Sequence, residues 1–88
     1  MNLNQLQYFK ILAQEEHYTR AAQMLSITQP SLSHAIAQLE QELGAHLFDR
    51  IGKQTTLTHQ GSVFYEYAAS IIRDMAQAKD AVSHPQKL

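Results

Sequence analysis

Apolar residues recur at helical spacing in the first quarter of the chain and predict two helices. From about residue 3 to residue 16, Leu6, Phe9 and Leu12 fall on one face and form a stripe that would be buried. The pattern then breaks, and Thr19 is a suitable N-cap for a short second helix that runs through Leu25. We therefore expect a long helix and a short helix separated by a tight connection.

A third helix is predicted from Thr28 to Gly44. Pro30 falls in its first turn, where the missing N–H would have had no helical partner. Glycine at position 44 favours the end of a helix. The apolar stripe of this helix consists of Leu32, Ile36, Leu39 and Leu43. Small and polar residues occupy its other face, which is therefore free to contact a ligand.

The pattern changes between residues 46 and 58, where two short strand-like pieces flank a turn that contains glycine. The pieces are residues 47–50 and 55–58, and the turn is residues 51–54. We expect a small β-hairpin, the wing that often accompanies a helix-turn-helix.

Helical spacing returns at residue 59 and continues to about residue 84, with Thr58 as its N-cap. The heptad-like seam consists of Phe64, Ala68, Ile71, Met75, Ala78 and Val82. About 25 residues of helix span about 37 Å, more than a domain of this size needs for its own core. We expect the first half of the seam to pack against the domain and the second half to pair with a second copy of the chain.

Together these elements predict a mainly α fold, in which a three-helix core and a two-stranded wing precede a long linker helix. The predicted divisions are a winged helix-turn-helix domain over residues 1–58, a linker and dimerisation helix over 59–84, and a tail over 85–88. The helix-turn-helix itself covers about residues 18–37, with an alanine pair, a leucine and a turn before the helix at Pro30. This motif places its second helix against base-pair edges.

The net charge of the chain argues against DNA binding, but the distribution of its charges along the sequence supports it. Seven Lys and Arg against eight Asp and Glu give a formal net charge of −1, whereas nucleic-acid binders are usually basic. The acids are unevenly distributed, however, because residues 17–39 contain no carboxylate. A local surface free of acids can approach phosphates even when the whole chain is nearly neutral.

Composition excludes several other classes of function. The 88 residues suffice for one small domain, and the absence of cysteine rules out disulfides and thiolate metal sites. No signal peptide or membrane-spanning apolar run is present, so we expect a cytoplasmic protein without a membrane partner. The five histidines lack metal-ligand spacing, and no catalytic pair or phosphate loop is found. We therefore predict no enzyme activity, no metal, no cofactor and no small-molecule site in these residues.

The order and spacing of several short motifs resemble the N-terminal DNA-binding part of a LysR-type transcriptional regulator, from about residue 3 to residue 80. The matching pieces are Leu6-x-x-Phe9, Thr19-Arg20-Ala21-Ala22 with Leu25, Thr28-Gln29-Pro30-Ser31-Leu32-Ser33 with Ile36, Leu39-Glu40-x-x-Leu43-Gly44, Leu47-Phe48-x-Arg50, and Thr58-x-x-Gly61. Each piece is weak alone, but their combination is specific.

The resemblance implies a bacterial regulator that binds partly palindromic promoter DNA. It also implies a homodimer that forms through the linker helix, and it leaves open whether a full-length protein forms a tetramer. Positions that match the family's DNA contacts are Gln29, Pro30, Ser31, Ser33, His34 and Lys53. Thr28 and Arg50 complete the predicted DNA-binding set. For Arg50 two roles stay open, a phosphate contact or an internal ion pair with Glu40 or Asp49.

Two features keep alternatives open. Position 34 is often Arg in the family and is His34 here, followed by Ala35 where Gln is common, which changes the hydrogen bonds available to bases. The family's large effector-binding domain is absent, so the chain is either an excised DNA-binding fragment or a naturally short protein. The alternative function is a helical protein-interaction and dimerisation module with weak or no DNA binding.

Overall fold

The computed structural model describes residues 1–85 and contains four helices and one two-stranded antiparallel sheet. In chain order the elements are α1 (Leu3–Glu15), α2 (Tyr18–Leu25), α3 (Gln29–Leu43), β1 (Phe48–Ile51), β2 (Gln54–Leu57) and α4 (His59–Ser83). The mainly helical, winged architecture expected from the sequence is confirmed. Of the tail predicted at 85–88, residues 86–88 lie outside the described residues.

The second helix begins one residue before the predicted N-cap, so the assignment of that cap to Thr19 is wrong. The cap is His17, whose Nδ1 accepts a hydrogen bond from the Arg20 N–H at 3.3 Å. An imidazole nitrogen in its unprotonated form can accept this bond as a hydroxyl would. Thr19 therefore lies in the first turn of α2, where its side chain is free to reach α3.

The starts of α3 and α4 follow the sequence signals. Thr28 and Thr58 are the N-caps, with their hydroxyl oxygens accepting from the Ser31 N–H at 3.2 Å and the Gly61 N–H at 3.0 Å. Gly44 ends α3 with a φ of 66°, in the left-handed region that glycine adopts without strain.

The core forms where α1 crosses the other elements, and Phe9 lies at its centre. Its ring centroid is 5.0 Å from that of Phe64, 5.4 Å from Phe48 and 6.3 Å from Tyr65. These tilted and edge-to-face arrangements are the favoured geometries for aromatic pairs. The buried hydrophobic residues are Leu6, Phe9, Leu12, Ala21, Ala22, Leu32, Ile36, Leu39, Leu47 and Ala68.

The wing is a short hairpin that pairs Phe48 with Leu57 at its base and Ile51 with Gln54 at its tip. Its strands begin and end within one residue of the predicted segments, and the turn contains Gly52 with a φ of 61°. Backbone bonds fix the hairpin to the helices. The Thr55 N–H donates to the carbonyl oxygen of Glu16 at 2.9 Å.

The predicted seam of α4 divides between the core and the exposed side of the helix. Ala68 is fully buried and Phe64 packs half-buried against the core, which confirms that the first half of the seam packs against the domain and removes these two residues from the predicted dimerisation set. The outward apolar residues form a strip that we call the outer strip: Val63, Tyr67, Ile71, Met75, Ala78 and Val82. Val63 and Tyr67, the apolar neighbours of Phe64 and Ala68 in the sequence, thus replace them on the exposed side.

We predict that replacing Gly61 even by alanine destabilises the fold, although alanine has the higher helix propensity. A Cβ at this position would lie 2.1 Å from the carbonyl oxygen of Leu47. We expect Gly61→Ala to lower the free energy of unfolding by about 1–3 kcal/mol, the usual cost of overpacking. Urea denaturation followed by circular dichroism measures the change. Ser62→Ala, at the exposed neighbouring position, is the control, and equal stability of the two variants would contradict the close packing of α4 on Leu47.

Candidate nucleic-acid interface

The first turn of α3 is organised by a pair of hydroxyl groups. Thr28 Oγ1 accepts the Ser31 N–H and donates its own proton to Ser31 Oγ at 2.8 Å. Because the Ser31 oxygen acts as acceptor in this pair, the Ser31 proton is left to donate elsewhere. Both residues are exposed, so this proton is available to an acceptor outside the protein.

Gln29, at the start of α3, is held from the neighbouring helix. Thr19 Oγ1 donates to Gln29 Oε1 at 3.2 Å, a side-chain bond that joins the amino ends of α2 and α3. The bond uses one lone pair of the amide oxygen and leaves the amide NH₂ free. The exposed Gln29 side chain thus has both a donor and a remaining acceptor with a restrained orientation.

The remaining predicted α3 residues share the same end of the helix. Pro30 and His34 are exposed and lie four residues apart, so they are neighbours on one helix face. Ser33 is half-buried and is the least accessible of the set. The described part of the chain therefore offers Pro30 and His34 to a ligand more openly than Ser33.

Arg50 of β1 stacks on an aromatic ring instead of pairing with an acid. The carbon at the centre of its guanidinium lies 4.7 Å from the ring centroid of Tyr18. Within residues 1–85 no ion pair joins Arg50 to Glu40 or Asp49 at the 4.0 Å limit. Glu40 instead accepts the Leu47 N–H at 2.7 Å. The internal ion pair that the sequence left open for Arg50 is thus excluded.

The half-buried ring of Tyr18 contacts the guanidinium of Arg50, and its phenol stays neutral at ordinary pH. Burial raises the pKa of Tyr18 above its usual 10.0, the carboxylate of Glu40 raises it further, and the guanidinium of Arg50 lowers it in part. A neutral phenol ring retains the negatively polarised face that attracts a cation.

A hollow of about 320 Å³ lies between the amino ends of α2 and α3 and the wing. We call it the wing hollow; it is lined by His17, Tyr18, Thr19, Gln29, Arg50, Gly52, Lys53 and Thr55. Three predicted site residues, Gln29, Arg50 and Lys53, are brought together around it, whereas the other five lie outside its lining. No carboxylate lines the wing hollow, so its potential favours an anion.

Sequence reasoning missed three residues that line the wing hollow: His17, Tyr18 and Thr19. Tyr18 supports Arg50 from 32 positions away in the chain, and no local pattern links the two. A usable signal did exist for Thr19, because a hydroxyl residue in the first turn of α2 faces the partner helix in a helix-turn-helix. It was assigned a capping role instead.

Metal sites and membrane spans are not found in the described part of the chain. Within residues 1–85, no three His, Asp or Glu side chains are grouped so that they could hold a metal ion. None of the helices described is long and apolar enough to cross a membrane.

The fold and this surface define a winged helix-turn-helix domain of the DNA-binding class. Residues 3–62 match the family model described as bacterial regulatory helix-turn-helix protein, lysR family. The chain belongs to the lysR family, whose members regulate transcription by binding DNA. The resemblance expected from the sequence motifs is confirmed.

Individual relatives agree with this assignment. The chain is 46% identical to the HTH-type transcriptional regulator BsdA of Bacillus subtilis, with 100% of this chain and 30% of that protein covered. It is 47% identical to the HTH-type transcriptional regulator BudR of Klebsiella aerogenes, covering 82% of this chain and 50% of BudR. The chain thus spans half or less of the length of these curated relatives.

A solved structure matches over nearly the whole domain. The crystal structure of a BenM_DBD/benA site 1 DNA complex is similar with a TM-score of 0.90 and 36% identity, covering 94% of this chain and 96% of that one. BenM is an HTH-type transcriptional regulator of Acinetobacter baylyi. These similarities support DNA binding and not the alternative function of an interaction module without DNA.

The hydroxyl of Thr28 is predicted to stabilise the start of α3. Thr28→Ala removes the acceptor for the Ser31 N–H and the donor to Ser31 Oγ, and should lower the free energy of unfolding by about 1 kcal/mol. Thermal and urea denaturation measure this loss. Thr28→Ser keeps the hydroxyl and serves as the matched control. Equal losses in the two variants would show that the hydroxyl pair does not stabilise α3.

Proposed function

We propose that this chain reads promoter DNA in the bacterial cytoplasm as the sequence-specific half of a homodimeric transcription regulator. The observation that carries the proposal is the exposed polar first turn of α3 beside two wing cations, around a hollow without carboxylates. The similar BenM_DBD structure holds benA site 1 DNA, which supports the same use of the fold here.

The first turn of α3 would enter the major groove and read base edges. A glutamine amide can bridge N6 and N7 of adenine, and the bond from Thr19 orients the amide of Gln29 for that contact. The free Ser31 proton suits a phosphate oxygen or a base acceptor. Thr28 and Pro30 would lie against the backbone at the groove edge, with Ser33 and His34 one turn deeper.

The wing would contribute contacts that position the domain without reading sequence. Lys53 is exposed in the hairpin turn, and in residues 1–85 it forms no ion pair. A flexible ammonium group in such a place can reach phosphate or the adjacent minor groove. Lys53 therefore adds affinity that is common to all sequences.

Two substitutions should separate base reading from phosphate contact. We expect Gln29→Ala to reduce discrimination between the preferred duplex and a random duplex by about 1–3 kcal/mol. Lys53→Ala should weaken both duplexes alike and lower the slope of log K against log salt by about one for each half-site contacted. Fluorescence anisotropy titrations over a range of salt measure both effects. The assigned surface would be wrong if both variants bound as the unmodified protein does.

Dimerisation is proposed through the outer strip of α4. Ile71 is 46% exposed, Met75 47% and Val82 81%, so a row of apolar side chains lies open along one side of the helix. The 25 residues of α4 span about 37 Å, and beyond Ile72 the described side chains of the helix are exposed. A second copy related by a two-fold axis would cover this row, and two recognition helices would then meet half-sites about 34 Å apart or a multiple of it.

A charge in the outer strip should separate the two copies. Ile71→Asp places a carboxylate where the apolar row would be buried, and we expect the dimer dissociation constant to rise by at least about a hundredfold, from a cost of several kcal/mol. Sedimentation equilibrium measures the constant, and affinity for a two-half-site duplex should fall with it. Gln77→Asp adds the same charge at an exposed position on another face of α4 and is the control. A dimer unaffected by Ile71→Asp would place the interface elsewhere.

A further inference from the structure

We propose that the wing hollow is the binding site for one phosphate group of the DNA backbone, contacted by Arg50, and that Tyr18 is the positioning residue that holds Arg50 in place. The proposal rests on the proposed function and adds to it a specific subsite and a residue outside the predicted DNA-binding set.

The contact with Tyr18 leaves the N–H donors of Arg50 without a conventional acceptor. The carbon at the centre of the guanidinium lies over the Tyr18 ring, 4.7 Å from its centroid. Arg50 is exposed and, among residues 1–85, neither ion-paired nor hydrogen-bonded through its side chain. Its five N–H donors are therefore available to a ligand, and two oxygens of a phosphate match the planar fork of a guanidinium.

Tyr18 is itself fixed, and this is why it can position the guanidinium. It belongs to α2 and packs, half-buried, against the hydrophobic core. Burial raises the pKa of its phenol, so the ring stays neutral and does not neutralise the cation above it. Glu40, the acid that acts on the Tyr18 phenol, accepts the Leu47 N–H at 2.7 Å at the base of the wing.

The rest of the lining favours an anion as well. Lys53 lies in the hairpin turn, and His17 with Thr19 marks the amino end of α2, where the helix dipole is positive. Thr55 forms part of the wall; it is 1% exposed, and its hydroxyl has no hydrogen-bond partner among the described residues. The lining of the wing hollow contains cations and neutral donors but no carboxylate.

The position of the wing hollow points to the DNA backbone as the source of the phosphate. Gln29 lines the same hollow and begins the helix proposed to read bases. A phosphate bound beside it would belong to a strand of the duplex that α3 enters. Inorganic phosphate has the same chemistry, so the experiment must separate the two sources.

Methylphosphonate scanning tests the subsite directly. Each phosphate of a duplex that the protein prefers is replaced in turn by a neutral methylphosphonate, and anisotropy titrations give the affinity of each duplex. For the unmodified protein we expect a loss of about tenfold at one phosphate in each half-site. Arg50→Gln, which removes the contact from both half-sites of a dimer, should lose about a hundredfold on the natural duplex, show no further loss at those phosphates, and reduce the salt slope by about 1.8.

Matched variants distinguish a positioning role of Tyr18 from the loss of a charge or of the folded state. Tyr18→Leu should lose several-fold affinity and weaken the response at that same phosphate only, whereas Tyr18→Phe, which keeps the ring, should retain it. Arg73→Gln removes another exposed arginine, from α4, and should leave the response intact. Circular dichroism monitors folding, and if Tyr18→Leu does not fold, the exposed Arg50→Gln still decides whether the subsite exists.

Three results would overturn the proposal. If Arg50→Gln keeps the full response at every phosphate while DNA is still bound in sequence-specific fashion, the subsite is wrong and the proposed function stands. If Arg50→Gln changes only competition by inorganic phosphate at constant ionic strength, the hollow is a site for the free anion. If the unmodified protein binds no duplex sequence specifically, the proposed function and the subsite fail together.

Discussion

Burial of the Phe9 ring is the interaction on which the arrangement of the other elements depends. The ring is fully buried and contacts Phe48 of the wing and Phe64 and Tyr65 of α4. One side chain of α1 therefore contacts both the start of the hairpin and the first half of the long helix. Small residues complete the arrangement, because the buried Ala21 and Ala22 let α2 pack closely with the remaining helices. The surface proposed for DNA lies on elements fixed by this core.

The sequence predicted the parts of this fold that depend on local chemistry. Helical stripes, the caps at Thr28 and Thr58 and the glycine in the hairpin turn are local, and the structure confirms them. The packing of Phe64 and Ala68 against the domain was also predicted, and the contact of Phe64 with Phe9 agrees with it. The contact of Arg50 with Tyr18 could not be predicted, because it joins a strand to a helix far from it in the chain. The family motifs predicted a set of site residues but did not indicate which of them line the wing hollow.

A nearly neutral chain can present an electropositive surface if its acids are occupied elsewhere. Glu40 binds a backbone N–H, and Glu15 pairs with Arg20 at 3.4 Å, so these two carboxylates near the DNA-facing side have partners within the protein. The wing hollow in turn contains no acid. With few cations in each copy, the electrostatic part of affinity per domain is small, since it grows with the number of phosphates neutralised. Two copies joined as proposed through the outer strip would double that number and raise the electrostatic part of the affinity.

Leu47 connects α3 to α4 through its backbone. Its N–H is bound by Glu40 of α3, its carbonyl oxygen accepts the Thr58 N–H at 3.0 Å, and Gly61 of α4 lies against the same carbonyl. The two helices are thus joined through one peptide segment. We expect a rotation of α4 relative to the core to move α3 as well. If two such domains dimerise as proposed, the angle at which their long helices cross would determine the spacing of the DNA half-sites that they contact.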